Sequence, residues 1–308
     1  MTVDCSRTTR RRFLAGAAAL GALPILSARA QATAPIMRAI PSTGEKIPAI
    51  GMGTWVEFNV GNVEALRENC LAITRLFLER GGGMIDSSPM YGSAEDVVGW
   101  CLERITDHGS LFSATKVWSP AGGDTAEQLS RSEGLWRSER LDLMQVHNLV
   151  DAEEHLERLF AAKAAGRIRY VGITTSHGAR HDAMAEIMTG HPIDFAQFTY
   201  NILDREAEDR LLPLAADRGI AVIANRPFQR KGVFRHVGGA PLPGWAADIG
   251  AANWAQVFLK FVIAHPAVTC AIPATSVLAH MDQNMGALTG PLPDARLARR
   301  MAADVAGL

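Results

Sequence analysis

Eight short apolar runs alternate along this chain with segments of helical period, and that alternation limits the fold more than any other feature. The runs are residues 49–53, 83–86, 111–116, 143–147, 168–173, 195–199, 220–224 and 268–272. Between them lie 63–80, 94–105, 126–138, 153–165, 180–188, 206–218 and 252–264, each long enough for a helix. In the first of these, Leu66, Ile73, Leu76 and Phe77 have the spacing of one apolar helix face. Strands that alternate with helices of this length build parallel β–α units. Eight such units predict an α/β fold of the closed (β/α)8 TIM barrel type. An open doubly wound sheet would usually carry Gly-x-Gly-x-x-Gly after an early strand. Here Gly81-Gly82-Gly83 precedes a strand and reads as a helix end and turn. Residues 37–47, with Pro41-Ser42-Thr43-Gly44 inside them, predict a short N-terminal hairpin before the first barrel strand. Residues 227–250 hold several glycines and prolines and predict a long irregular segment covering the mouth.

The first thirty residues stand apart from this rhythm. Thr9-Arg10-Arg11-Arg12-Phe13-Leu14 is followed by an apolar run over 15–26 and then by Ala28-Arg29-Ala30. A basic region, a short apolar region and a small-x-small site, in that order, predict an export signal, residues 1–30, cut after Ala30. Paired arginines followed by Phe-Leu resemble a twin-arginine signal, which implies passage to the periplasm in the folded state through an export machinery. The apolar run is short for a membrane span, so no stable insertion is expected of the mature chain. Residues 31–308 then form a single barrel domain. The whole chain has 31 basic and 32 acidic residues; without residues 1–30, which hold five arginines and one aspartate, 26 and 31 remain. No basic stripe interleaved with aromatics supports nucleic-acid binding. Cys70, Cys101 and Cys270 are too few and too scattered for a disulfide framework and read as buried thiols.

Chemistry in such a barrel sits at the C-terminal ends of the strands. The second apolar run ends on Asp86, with Tyr91 five residues on; the third ends on Lys116 and the fourth on His147. A free tyrosine is too weak an acid to pass a proton easily near neutral pH. A neighbouring ammonium favours the phenolate, so Lys116, held by Asp86, is expected to lower the pKa of Tyr91. His147 is placed to hydrogen-bond a substrate oxygen. A carbonyl that receives hydride at carbon needs a proton at oxygen, and these four residues supply it. The hydride needs a cofactor, because no side chain donates one.

Gly51-Met52-Gly53-Thr54-Trp55, the segment from Met84 through Asp86 and Tyr91 to Glu95, Ser113–Val117 and Asp142–Asn148 together resemble the aldo-keto reductases. Gly172–Ser176, Gln197 with Tyr200-Asn201, and Ile272–Ser276 with Asn284 extend the resemblance over about residues 37–290. It implies carbonyl reduction with NADP, or with NAD as the alternative, and a small-molecule carbonyl substrate. By position it places Thr174, Thr175 and Gln197 on the nicotinamide amide. The adenosine end falls to Ile272, Ala274, Thr275, Ser276, His280 and Asn284. Trp55, Trp118 and Asn148 face the substrate pocket. Val277 and His280 stand where family members that grip a 2′-phosphate carry Lys or Arg. Asn225 lies in the run where many members place a tyrosine that stacks on the nicotinamide. Arg226 or Arg230 either reaches the cofactor phosphates or is solvated.

Other features read more plainly. His177 and His181 have a spacing that holds metals on helices, but no third ligand accompanies them, and no metal site is expected. His155 beside Glu153 and Glu154 reads as an exposed helix face, and Trp100 and Trp254 read as packing residues. A second functional reading is an exported module that binds nicotinamide nucleotide for a sensing or partner role with little turnover.

Overall fold

The apolar runs become eight parallel strands in a computed structural model that describes residues 1–2, 34–109, 111–119, 125–176 and 178–308. The expected export signal, apart from residues 1–2, and its expected cut after Ala30 lie outside the described residues. The strands are β3 (Met52–Gly53), β4 (Met84–Asp86), β5 (Phe112–Val117), β6 (Leu141–His147), β7 (Ile168–Thr174), β8 (Phe195–Thr199), β9 (Ala221–Asn225) and β10 (Val268–Ala271). They pair in sequence order, each parallel to the next. The ring closes where Ile50 bridges Ala271, with Gly51 N–H on Ala271 O at 2.8 Å and Ala271 N–H on Ala49 O at 2.9 Å. The predicted hairpin is present as β1 (Met37–Ala39) and β2 (Lys46–Pro48), paired antiparallel.

Helices α1 (Glu64–Glu79), α2 (Ala94–Leu102), α3 (Thr125–Trp136), α4 (Ala152–Ala164), α5 (His181–Gly190), α6 (Leu211–Arg218) and α8 (Trp254–Ala264) occupy the predicted intervals. The buried face of α1 runs through Arg67, Cys70, Ile73, Thr74 and Phe77. Leu66, expected on that face, is instead exposed on the outside. Strand residues that point inward form the barrel's own core: Met84, Phe112, Leu143, Tyr170, Phe195, Ile223 and Cys270, with Ile40 and Ile47 of the hairpin region closing it from below. Those that point outward pack under the helices in a second, larger cluster.

Residues 227–250 are not the open segment that their glycines and prolines predict. They carry α7 (Gly232–Val237) and a 3-10 turn (Gly244–Ala246), and they bury Val233, Val237, Trp245 and Ala246. The cover comes from the far end of the chain. Helix α9 (Leu278–Met285) is followed by α10 (Ala295–Ala306), where Asp304 accepts from Trp245 Nε1 at 2.8 Å. His236 Nε2 donates to Val305 O at 2.8 Å. The start of the segment reaches the rim, where Arg230 lies over the Trp55 ring. Among the described residues no helix is long and apolar enough to cross a membrane.

Candidate active site

Three neighbouring strands each deliver an ionisable group to the C-terminal rim. Asp86 ends β4, Lys116 lies one residue from the end of β5, and His147 ends β6. Tyr91 closes a single 3-10 turn (Pro89–Tyr91), capped by Ser88, whose Oγ accepts from Met90 N–H at 3.2 Å. The Lys116 ammonium is fully buried and donates to Asp86 Oδ2 at 2.7 Å and to Ser87 O at 2.6 Å. It stands 5.2 Å from the centre of the Tyr91 ring. Tyr91 and His147 meet edge to face with ring centres 5.9 Å apart. The four residues singled out by the strand-end rule are therefore one cluster.

Burial works against the Lys116 charge, but the charge of Asp86, the bond to it and, once ionised, Tyr91 outweigh it and hold the ammonium above its ordinary pKa. Burial also raises Tyr91. Lys116 pulls it down and Asp86 pushes it up, and the balance leaves the phenol above its usual value. The expected lowering by Lys116 is present but loses to desolvation, so Tyr91 stands protonated near neutral pH. Burial, with the Lys116 charge behind it, pushes His147 down to about 3. His147 is thus neutral. Its Nδ1 lies 2.9 Å from Ser88 Oγ, which has taken the Met90 N–H as acceptor and keeps its own proton to donate. A Ser88 hydroxyl that donates to Nδ1 puts the imidazole N–H on Nε2.

A second polar layer lies beneath. Gln145 of β6 and Gln197 of β8 both donate to Asp86 Oδ1, at 3.1 and 2.9 Å. Gln197 Nε2 also reaches Gln145 Oε1 at 3.2 Å, and its Oε1 accepts from Thr174 Oγ1 at 3.0 Å and Asn225 Nδ2 at 3.3 Å. Asn225 continues to Thr175 O at 2.8 Å and Thr199 Oγ1 at 3.0 Å. The structure thus brings Thr174, Thr175 and Gln197 together, and Gln197 links them to Asp86. Gln145 and Ser88 had no role in the sequence reading, and Asn225 was noted only for standing in the run where many family members place a stacking tyrosine. The one available signal was a glutamine inside the apolar fourth run.

The rim above is built from the loops. Trp55 follows Thr54, whose Oγ1 lies 3.0 Å from Asp86 O, and the residue is 43% exposed. Arg230 lays its guanidinium over that ring, 4.4 Å from the centre. Four residues of the loop after β9, namely Arg226, Gln229, Arg230 and Lys231, have φ between 48° and 68°, a conformation that non-glycine residues rarely hold without support from their surroundings. Arg226 is half-buried. Its Nη1 donates to Ser176 O at 2.6 Å, and its Nε is buried without a partner. Asn148 Oδ1 and Asn284 Nδ2 are likewise buried and unpartnered. Ile272 and Thr275 are buried at the end of β10, Ala274 is half-buried, and Ser276 and His280 are exposed at the start of α9. Trp118 is exposed beyond β5. Three unpaired buried polar atoms around the rim fit a polar ligand laid across it.

One other reading changes. His155 is not exposed but fully buried, donating from Nε2 to Ser119 O at 2.9 Å with Nδ1 2.8 Å from Thr125 Oγ1. His181 lies beside Glu206, His177 lies outside the described residues, and no metal-holding cluster occurs among the described residues. Trp100 and Trp254 are packing residues: Trp100 sits under Arg104, and Trp254 stacks on Phe258.

Comparison with known proteins agrees with this geometry. A profile of the Aldo/keto reductase family matches residues 49–238. Methylglyoxal reductase YeaE of Escherichia coli (strain K12) is 29% identical over 259 residues, covering 82% of this chain and 89% of that protein. An NADH-specific methylglyoxal reductase of the same organism is 26% identical, covering 63% of this chain and 68% of that one. The fold matches a solved aldo/keto reductase from Klebsiella pneumoniae in complex with NADP and acetate, with a TM-score of 0.72 at 24% identity over 87% of this chain and 95% of that one. With the family profile spanning well over half its length and the acid, ammonium and imidazole gathered on one rim, the chain belongs to the aldo/keto reductase family.

Proposed function

We propose that this chain reduces the carbonyl group of a small aldehyde or ketone to an alcohol, or runs the reverse reaction, with Tyr91 as the proton donor. The observation that carries this reading is the protonated Tyr91 phenol beside the buried Lys116–Asp86 pair, with the neutral His147 ring at right angles to it. His147 Nε2–H orients the substrate oxygen, and Tyr91 gives that oxygen its proton as negative charge develops on it. Lys116 stabilises the phenolate left behind, and Asp86 keeps Lys116 charged and in place.

A bound nicotinamide nucleotide supplies the hydride. Thr174, Thr175 and Gln197 would hold its amide, and Ile272, Ala274, Thr275, Ser276, His280 and Asn284 its adenosine end, where the unpaired Asn284 amide waits for an acceptor. NADP is the first expectation and NAD the alternative; the Klebsiella neighbour was solved with NADP, while one E. coli relative is named NADH-specific. Trp55, Trp118 and Asn148 would flank the substrate. The test is turnover of purified protein on a panel of aldehydes and ketones, methylglyoxal among them. Tyr91→Phe should lower kcat by about 10²–10⁴-fold while nucleotide binding persists. Wild-type turnover in that variant would show that the acid has been misassigned.

We further propose that residues 1–30 send the folded chain to the periplasm by a twin-arginine route. The paired arginines, the short apolar run and Ala28-Arg29-Ala30 support this, as do thiols at Cys70, Cys101 and Cys270 that are buried and free. An exported reductase has no evident supply of reduced nucleotide outside the cytoplasm. That favours, as a second reading, a module that retains its nucleotide and turns over little. Mass spectrometry of nucleotide released from protein recovered in each cell fraction tests both ideas. Tight retention without multiple turnover selects the second reading, and exclusively cytoplasmic protein would remove the export proposal.

A further inference from the structure

We infer that Gln145 is a positioning residue for proton transfer, fixing the orientation of the Asp86 carboxylate and so where the Lys116 ammonium stands against Tyr91. This rests on the reading of Tyr91 as the proton donor.

The geometry is a closed triangle of side chains. Gln145 Nε2 donates to Asp86 Oδ1 at 3.1 Å, Gln197 Nε2 donates to the same oxygen at 2.9 Å, and Gln197 Nε2 also reaches Gln145 Oε1 at 3.2 Å. Oδ1 thereby takes two amide donors, and Oδ2 is left to Lys116 at 2.7 Å. A carboxylate held from both sides in this way cannot turn out of its plane without stretching bonds of the set. All three residues are buried, Gln145 completely, so no water competes for these bonds.

The barrel wall makes room for the arrangement. Gln145 pairs in register with Gly172 on β7. A Cβ at Gly172 would come within 3.1 Å of Gln145 Cγ and 2.9 Å of Phe195 O. The missing side chain on β7 is what lets Gln145 of β6 and Gln197 of β8 meet across it. An apolar side chain would fill position 145 at no polar cost, as it does at Leu143 two residues before. A glutamine there needs partners, and its partners are Asp86 and Gln197.

The charged and titratable groups around Tyr91 are Asp86, Lys116, the neutral His147 and, acting on Lys116 from behind, the buried Glu95. The Gln145 N–H offsets part of the Asp86 charge. Removing it leaves Asp86 more negative and Lys116 less fixed, and both effects disfavour the Tyr91 phenolate. Gln145→Met keeps the chain length and removes both polar atoms. The lost bond is one to a charged group, so kcat is expected to fall about tenfold, with KM changed by less than about twofold. The ionisation of Tyr91, read as the difference between ultraviolet pH titrations with and without Tyr91→Phe, should move upward by about half a pH unit or more. A folded Gln145→Met protein with wild-type kcat and an unmoved Tyr91 titration overturns the inference. Should that variant fail to fold, Gln145→Glu decides. Its carboxylic acid donates to Asp86 and its carboxylate cannot, so its kcat relative to wild type should climb as pH falls; a ratio independent of pH overturns the inference. Tyr91→Phe assayed alongside separates the two readings. An active Tyr91→Phe protein overturns the proton-donor reading itself, whereas an inactive one beside a wild-type Gln145→Met removes only the role of Gln145.

Discussion

Burial holds the His147 imidazole neutral down to about pH 3, and the Lys116 charge adds to the effect. The unfolded chain takes a proton there near the ordinary histidine value of about 6.5, so below that pH it binds more protons than the folded chain. The stability contributed by the neutral ring is therefore complete above about pH 6.5 and is lost as pH falls towards 3. Its slope is about 1.4 kcal/mol per pH unit in that window. Denaturant unfolding of wild type and His147→Gln at pH 7 and pH 5 should show wild type losing about 2 kcal/mol more than the variant. Parallel losses would mean that the ring is not held neutral. Asp86, Lys116 and His147 were legible because each ends an apolar run, and Tyr91 because it follows one closely. Gln145 was not, since one glutamine within a strand has no period to betray its partners. His155 was misread because Glu153 and Glu154 are its neighbours in sequence, whereas Ser119 and Thr125 are its neighbours in space.

Helices α2 and α3 pack so closely that Gly99 leaves no space for a side chain. A Cβ there would lie 2.0 Å from Leu135 O and 2.4 Å from Arg137 Nη1. The arginine could swing away, but the carbonyl is backbone near the end of α3 and cannot move alone. Arg137 also ties this junction to Asp96 Oδ1 at 3.1 Å and to Glu103 at 2.9 Å. Gly99→Ala should therefore destabilise the protein by about 1–3 kcal/mol through overpacking, despite the better helix propensity of alanine. The midpoint and slope of denaturant unfolding measure this, and a more stable variant would mean that the helices part freely. The strands and most helices could be placed from sequence to within a few residues, because each satisfies a local period. Helix α7 and the turn at Trp245 could not. Their buried residues are covered by α10, whose relation to them appears only when the chain's far end packs back.

The two ends of the barrel are built to opposite purposes. At the C-terminal rim the backbone is strained, buried polar atoms stand unpaired, and the ionisable cluster opens towards the mouth. At the other end the hairpin seals the core. Ile40 and Ile47 are buried against the inward residues of the strands. Around them Arg169 links Glu45 with Asp142, Tyr170 donates to Glu45 at 2.5 Å, and Lys163 pairs with Asp194 at 2.6 Å. These polar links lie partly exposed and stabilise modestly, so the seal rests on the two isoleucines. Ile47→Ala should cost about 2–5 kcal/mol, depending on how far the hairpin collapses into the space. Its effect on chemistry should be small, because the cluster of Asp86, Tyr91, Lys116 and His147 is held by the opposite strand ends. The measurement is kcat at a temperature where both proteins are fully folded, beside their melting points. A lower melting point with kcat preserved within about twofold is the expected pair of results. A fall in kcat as large as that of Tyr91→Phe would mean that the hairpin end and the catalytic rim are mechanically one piece, and that the division of the barrel into a sealed base and a working mouth is wrong.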